Sequence, residues 1–308
     1  MFKYSLDNKR YHTLNYHLTT KFGCRVFKVS LNGNFSCPNF KNNKGCIFCS
    51  ALGSGDFAGN KNEDLKTQFE NIKKMLNNKW PDTKYIAYFQ ANTNTYATVD
   101  VLKSKFEEVL TFHNVVGLNI GTRPDAITDE CLNYLCELNK KTYLTIELGL
   151  QSMHDDTLKL INRGHDLKCF DRCVKRLRKN NINVVVHIIN GLPYETKDMM
   201  IDTIKHLNKL DIQGIKVHML HILKNTELEN FYRKKQFHVL TKKEYVDIVC
   251  DQLELLDEKI VIHRLTGDGK KDDLIEPLWT LKKVCVLNDI DKELVRRNSY
   301  QGIKNKED

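Results

Sequence analysis

No stretch of the chain reaches the roughly 18 consecutive apolar residues that a membrane-spanning helix needs. The opening MFKYSLDNKR has no apolar core of a secretory signal. The expectation is a soluble, cytoplasmic protein with no membrane partner. Proline is scarce, at 5 of 308 residues, and no internal repeat or low-complexity linker breaks the chain, which excludes Pro-rich spacers and solenoid arrays. Disorder is excluded as well, because 41% hydrophobic residues, including 14 Phe and 12 Tyr, supply a full core. Acidic residues are in deficit: 39 stand against 48 basic ones, a formal net charge of +9, which hints at an anionic partner. Cysteine is the exception to this thrift. Ten of them in a reducing compartment point to a metal-binding subset rather than disulfides.

Short β-branched or aromatic runs alternate with longer amphipathic stretches, the pattern of βα units and a parallel sheet. Strands are expected at 25–31, 84–90, 115–120, 143–150, 182–189 and 214–220. Helices are expected at 63–78, 98–112, 128–139, 154–180 in two pieces, and 196–209, where apolar residues recur at three- and four-residue spacing. The fold class is α/β, a partial (β/α)6 TIM-type barrel with N-terminal and C-terminal extensions. Residues 1–230 form the core with a basic N-terminal segment. Residues 231–308, with a helix at 241–256, a possible strand at 259–265 and a helical stretch around Trp279, form an extension packed on it.

The long irregular segment 32–60 holds Cys37, Cys46 and Cys49 at CxxxxxxxxCxxC spacing. Three thiolates are one short of a closed structural zinc site and suit a [4Fe-4S] cluster with one open iron. A zinc site completed by His17 or Cys24 stays open on the spacing alone. Strand ends carry further polar signatures at 121–125 (GTRPD), 147–152 (ELGLQS), 161–165 (INRGH) and 191–196 (GLPYET). In parallel barrels the site lies at those C-terminal ends.

Together these segments resemble the radical S-adenosylmethionine (SAM) superfamily, in the branch of the elongator catalytic subunit and the anaerobic coproporphyrinogen dehydrogenase. A bacterial stand-alone family of about this length is a closer match, similar also in the opening DNKRYHTLNYH and in GSGDFAGN at 53–60. The resemblance implies that Cys37, Cys46 and Cys49 hold a [4Fe-4S] cluster, that Phe48 lies against the adenine of SAM, and that a reduced cluster cleaves SAM to a hydrogen-abstracting 5′-deoxyadenosyl radical. It further implies a backbone role toward the SAM amino group for Gln90 and Ala91, which replace glycines of relatives. Arg163 would bind the SAM carboxylate and Gln151 a ribose hydroxyl, with Glu147 a second polar contact. Gly121 and His187 depart from the pattern, standing where better-known relatives carry acids.

On the sixth strand Lys216 and His218 share one face; with His187 they are the candidate substrate residues. His221, His263, Arg264 and Asp268 are weaker candidates. Cys169 and Cys173, one helical turn apart, offer an auxiliary cluster, against which stands the ordinary packing of apolar cysteines. Basic and aromatic residues interleave over 1–28 (Lys3, Lys9, Arg10, Lys21, Arg25 and Lys28 among Phe2, Tyr4, Tyr11, Tyr16, Phe22 and Phe27), and a second basic group spans 168–179. Both suit RNA. The resemblance supplies the base: the elongator relative acts on the wobble uridine of tRNA. Here, with no room for an acetyltransferase domain, the expected reaction converts 5-carboxymethylaminomethyluridine to 5-aminomethyluridine, with a flavodoxin or ferredoxin-type reductant. Its rivals are a radical enzyme for a small metabolite or porphyrin, and a zinc-stabilised RNA-binding module.

Overall fold

The computed structural model describes residues 2–42, 45–50, 53, 58–77 and 83–305. Seven parallel strands lie side by side in the order β1 (Val26–Leu31), β2 (Lys84–Phe89), β3 (Val115–Thr122), β4 (Tyr143–Gln151), β5 (Asn183–Asn190), β6 (Gly214–Met219) and β8 (Val261–Arg264). A short antiparallel ribbon of β7 (Ile222–Leu223) and β9 (Leu274–Glu276) stands apart. The sheet curls far enough for Lys28 on one edge strand to meet His263 on the other, Nζ to Nδ1 at 2.9 Å. That closure makes it an open barrel with a polar interior, as the α/β expectation requires. The sequence anticipates six strands; the seventh is the run at 259–265, which pairs with β6 as part of the main sheet.

Helices α3 (Leu65–Asn77), α4 (Val99–Leu110), α5 (Asp129–Lys141), α6 (Asp155–Leu160), α7 (Leu167–Lys179), α8 (Lys197–Asn208) and α10 (Lys242–Leu255) cross between strands. Their starts are set by side-chain caps: Thr128, Asp166 and Thr196 each accept a backbone N–H of the first turn, and Thr241 forms a full capping box with Glu244. Strand residues facing the helices, such as Val29, Leu31, Leu118, Ile146, Val184, Val186 and Ile215, are fully or almost fully buried. They form a core continuous with Phe106, Leu135, Phe170, Leu177 and Ile204 from the helices. Helices α1 (Leu14–Phe22), α2 (Pro38–Asn42), α9 (Glu227–Lys234) and α11 (Lys283–Arg296) complete the fold.

The N-terminal segment closes the end of the barrel where strands begin. Thr13 bridges Ile262 at the start of β8, His17 Nε2 lies 3.1 Å from the Tyr143 hydroxyl at the start of β4, and Lys84 donates to Phe22 O. Part of the basic surface expected to meet RNA there is engaged by the protein itself. Lys3 pairs with Glu258 at 2.5 Å, Lys9 with Asp291, and Arg10 donates to Ser299 O. Tyr4 stacks on His12 with ring centroids 4.6 Å apart, and Tyr16 meets both edge-on. The aromatic rings pack on each other, and Lys28 belongs to the barrel interior instead.

Candidate active site

The cysteine segment leaves the C-terminal end of β1 and is pinned at several points. Cys49 N donates to Cys46 O, Ile47 N to Ile161 O, and Leu228 N to Ile47 O. Asn39 donates its side-chain amide to Cys46 Sγ at 3.4 Å and to Asn162 O at 2.7 Å, while Asn162 returns a bond to Gly45 O at 2.6 Å. These contacts hold the CxxC turn against the turn between α6 and α7. Residues 54–57, within the GSGDFAGN segment, lie outside the described residues.

Arg163 sits on that second turn, between Asn162 and Gly164, both in left-handed backbone conformation. Only glycine fits at 164: a Cβ there would come within 2.6 Å of Asn39 Oδ1 and 3.1 Å of Arg123 Nη2. The Arg163 guanidinium donates to Gly149 O at 2.7 Å and to Cys46 Sγ at 3.6 Å, and its buried Nε has no partner among the described residues. Arg123 braces the turn, donating to Arg163 O at 2.7 Å while forking onto both Asp125 oxygens at 2.9 and 2.8 Å. The hydrogen bond shared with Cys49, then the charges of Arg163 and Arg123, hold the Cys46 thiol well below the ordinary cysteine value. Cys49, on the other side of that bond and desolvated, is pushed well up. At Cys46 the arrangement favours thiolate, the form that binds metal.

One cavity of about 330 Å³ is lined by Cys37, Cys46, Cys49, Phe48, Gln90, Glu147, Gln151, Arg163, His187, Lys216 and His218. Ala91 is fully buried and is not among its lining residues. Gln151 ends β4 at φ 77°, beyond a register shift that turns its amide back over Gly149. His263 and Arg264 also line the cavity; His221 and Asp268 do not, and Asp268 pairs instead with Arg264 and Lys283. Cys173 is buried, its thiol pushed up to about 12 by desolvation.

Two residues deeper along β4, Glu147 is the hub of the interior. Its Oε1 accepts from Lys28 at 2.8 Å and Asn119 at 2.6 Å; its Oε2 accepts from His187 at 2.8 Å and from Lys216. Lys216 also donates to the Tyr88 hydroxyl at 3.1 Å and lies over that ring. Burial alone would raise the Glu147 carboxyl, but the Lys216 and Lys28 ammoniums and His187 outweigh it and hold it well below the usual range. Burial pushes Lys216 down to about 7 and, with Lys216 alongside, His187 down to about 4. His218 and His263 are held neutral in the same way. All four Glu147 contacts are thus to the protein itself.

The sequence reading missed Lys28, Tyr88, Asn119 and Arg123 as site residues. A lone lysine inside the apolar strand at 25–31 was a signal, since a charge there must face a polar interior or carry a costly desolvation. The donor set fits an iron–sulfur cluster with an open site: three cysteines, an arginine with an orphaned N–H and a floor able to take polar ligand atoms. A zinc site completed by His17 or Cys24 does not fit. His17 is held at the opposite end of the barrel and Cys24 precedes β1. Among the described residues no three His, Cys, Asp or Glu side chains close on a single ion.

Comparison with known proteins agrees with this geometry. The Radical SAM superfamily model matches residues 41–207, and the Radical_SAM C-terminal domain model matches 212–296. The uncharacterized protein YtqA of Bacillus subtilis is 54% identical over 98% of this chain and 94% of its own length. A tRNA uridine(34) acetyltransferase of Methanocaldococcus infernus is 23% identical over 51% of this chain and 29% of its own. The solved structure of archaeal M. infernus Elp3 lacking residues 1–46 superposes with a TM-score of 0.67 at 18% identity, covering 90% of this chain and 64% of that one. A superfamily match over more than half of the residues, together with a relative of this identity along almost the full length, establishes that the chain belongs to the radical SAM superfamily of enzymes, which use a [4Fe-4S] cluster and S-adenosylmethionine.

Proposed function

We propose that this radical SAM enzyme acts on tRNA, removing the carboxymethyl unit of 5-carboxymethylaminomethyluridine at the wobble position to leave 5-aminomethyluridine. The substrate would lose a hydrogen atom beside the nitrogen and then one electron to the oxidised cluster, and water would hydrolyse the resulting imine so that the two-carbon unit leaves as glyoxylate. The observation that carries the catalytic part is the cavity joining Cys37, Cys46 and Cys49 to Arg163, Gln151 and the Glu147 hub. Cys37, Cys46 and Cys49 would hold the cluster, Arg163 the SAM carboxylate through its planar fork, the backbone at Gln90 and Ala91 the SAM amino group, and Phe48 and Gln151 the nucleoside part. When bound, the pair supplies one-electron cleavage of the sulfonium and a radical able to abstract hydrogen. The chain's own task is to orient that chemistry and to exclude water, which the buried strands and the plug of α1 favour.

Two features support RNA as the substrate. The acetyltransferase that resembles half of this chain is named for uridine 34 of tRNA. In addition, Lys168, Arg172, Lys175 and Lys179 form an exposed stripe along α7, which begins beside the Arg163 turn; the three lysines have no ion-pair partner among the described residues. A loop base is already unstacked and enters a cavity without the extrusion a paired base requires. A flavodoxin or ferredoxin-type donor would supply the electron, and the cytoplasm would be the site of action. The test is to incubate reduced enzyme and SAM with tRNA from cells lacking the gene and to follow the nucleosides by mass spectrometry. Loss of 5-carboxymethylaminomethyluridine with gain of 5-aminomethyluridine is expected. Unchanged nucleosides, with SAM cleavage stimulated by a small metabolite, would replace this reading with a small-molecule enzyme.

A further inference from the structure

The interior of the barrel holds more positive charge than its own residues neutralise. Lys28 of β1 and Lys216 of β6 both reach Glu147, one ammonium on each oxygen. Arg264 joins the same cavity wall, its guanidinium shared with Asp268 at 3.2 Å. Two nearly buried ammoniums therefore share one carboxylate; their side chains are 15% and 9% exposed, and that of Glu147 is inaccessible. Buried charges are stable when paired one for one, so this floor is short of one anion. His218 lines the same wall, and its buried Nε2 has no hydrogen-bond partner among the described residues. A desolvated polar atom that the protein itself does not pair carries a penalty.

We infer that Lys28, Lys216 and His218 form a subsite for a carboxylate of the substrate, with Glu147 as the fixed counterion that holds the two ammoniums apart and aimed. The inference rests on the tRNA reading for its ligand, the carboxymethyl group that the proposed reaction removes. Position argues for substrate rather than SAM. The Arg163 guanidinium is anchored on Gly149 O beside Cys46, whereas Glu147 lies two residues, about 7 Å of strand, deeper. A carboxylate held on the floor places the adjoining carbon between it and the cluster end of the cavity. Burial and the neighbouring Lys28 ammonium push Lys216 down to about 7, and a second anion bound beside it would raise it again. The subsite also gives the enzyme a means to release its product, which has lost the group that the lysines grip.

The experiment compares binding of two tRNAs that differ only in the carboxymethyl unit, bearing 5-carboxymethylaminomethyluridine or 5-aminomethyluridine. Cluster-loaded enzyme with SAM and no reductant is used, so that nothing turns over. Wild type should prefer the carboxylated tRNA by about 10- to 100-fold, the range of one charge-assisted contact. Lys216→Met and Lys28→Met should bring that ratio close to one while binding of the aminomethyl tRNA stays as in wild type. Either methionine leaves the remaining ammonium paired one for one with Glu147, and iron content and thermal unfolding report folding. A merely structural role would weaken both tRNAs together. If the folded, cluster-loaded Lys216→Met and Lys28→Met variants keep the preference while wild type converts the tRNA under reducing conditions, the subsite is wrong and the tRNA reading stands. If wild type converts no tRNA nucleoside, the tRNA reading falls and the subsite falls with it.

Discussion

At the scale of single residues, the site depends on groups whose neighbours leave them few choices. Cys37, Cys46 and Cys49 come from one loop, so no other cysteine can take the place of a missing one; Cys250 is buried in the core and Cys24 lies before β1. Alanine at any of the three should abolish 5′-deoxyadenosine formation in dithionite and SAM and reduce bound iron, and full activity in one of them would refute the cluster assignment. Arg163→Ala should keep the iron and weaken SAM binding by about 1.5–3 kcal/mol, with lysine a partial rescue because a point charge cannot reproduce the fork. Titration adds a stability prediction. Burial holds His187 at about 4, and His17 and His221 at about 4 as well, all below the ordinary 6.5. As pH falls from about 6.5 to 4 the unfolded chain therefore takes up protons first, and stability is lost through that window while it is retained above it. The melting temperature should drop over this range, and His187→Asn should flatten the drop; an unchanged profile would mean that His187 takes up its proton in the fold as it does in the unfolded chain.

At the scale of elements, the capped helices and the charged joint at the end of α11 fix how the chain closes around the barrel. Arg297, just past α11, bonds Asp247, Asp251 and Glu254 of α10 and Glu293 of its own helix. Glu254 is 2% exposed, so Arg297→Ala leaves its carboxylate with Lys304 alone and should cost about 2–4 kcal/mol in denaturant unfolding. Thr241→Ala, which removes the capping box of α10, should cost about 1 kcal/mol. Elements of this kind differ in how legible they are in sequence. The alternation at 143–150 and 182–189 reads directly as buried parallel strands, and β4 and β5 are there. The helix expected within 154–180 in two pieces is α6 and α7, split where Arg163 needs its turn. The run at 259–265 is also plain as a strand, but its place beside β6 depends on pairing across some 45 residues, which no local pattern encodes.

At the scale of the whole molecule, the legible part of the site is the part written in contiguous motifs, namely the cysteine loop and the residues at 147–151 and 161–165. The Glu147 hub was not legible as a unit, because Lys28, Tyr88, Asn119, His187 and Lys216 come from five strands and meet only once the sheet has curled. Charge shows the same limit in reverse. Composition reports a net +9, but only the fold separates cations that are spent on ion pairs from those left for a partner. Near the N-terminus, Lys3 with Glu258 and Lys9 with Asp291 belong to the first kind, whereas Lys168, Lys175 and Lys179 belong to the second. The two groups should therefore respond oppositely to charge reversal. Lys168→Glu/Lys175→Glu/Lys179→Glu should leave the melting temperature almost unchanged, weaken tRNA binding, and make its dependence on salt shallower, by about one unit of slope for each phosphate that is no longer neutralised. Lys9→Glu sets two acids side by side at Asp291 and should lower the melting temperature while leaving that slope as in wild type. If the α7 variant bound tRNA with an unaltered affinity and slope, this helix would lie outside the RNA footprint; a shallower slope in Lys9→Glu would return the N-terminal segment to it.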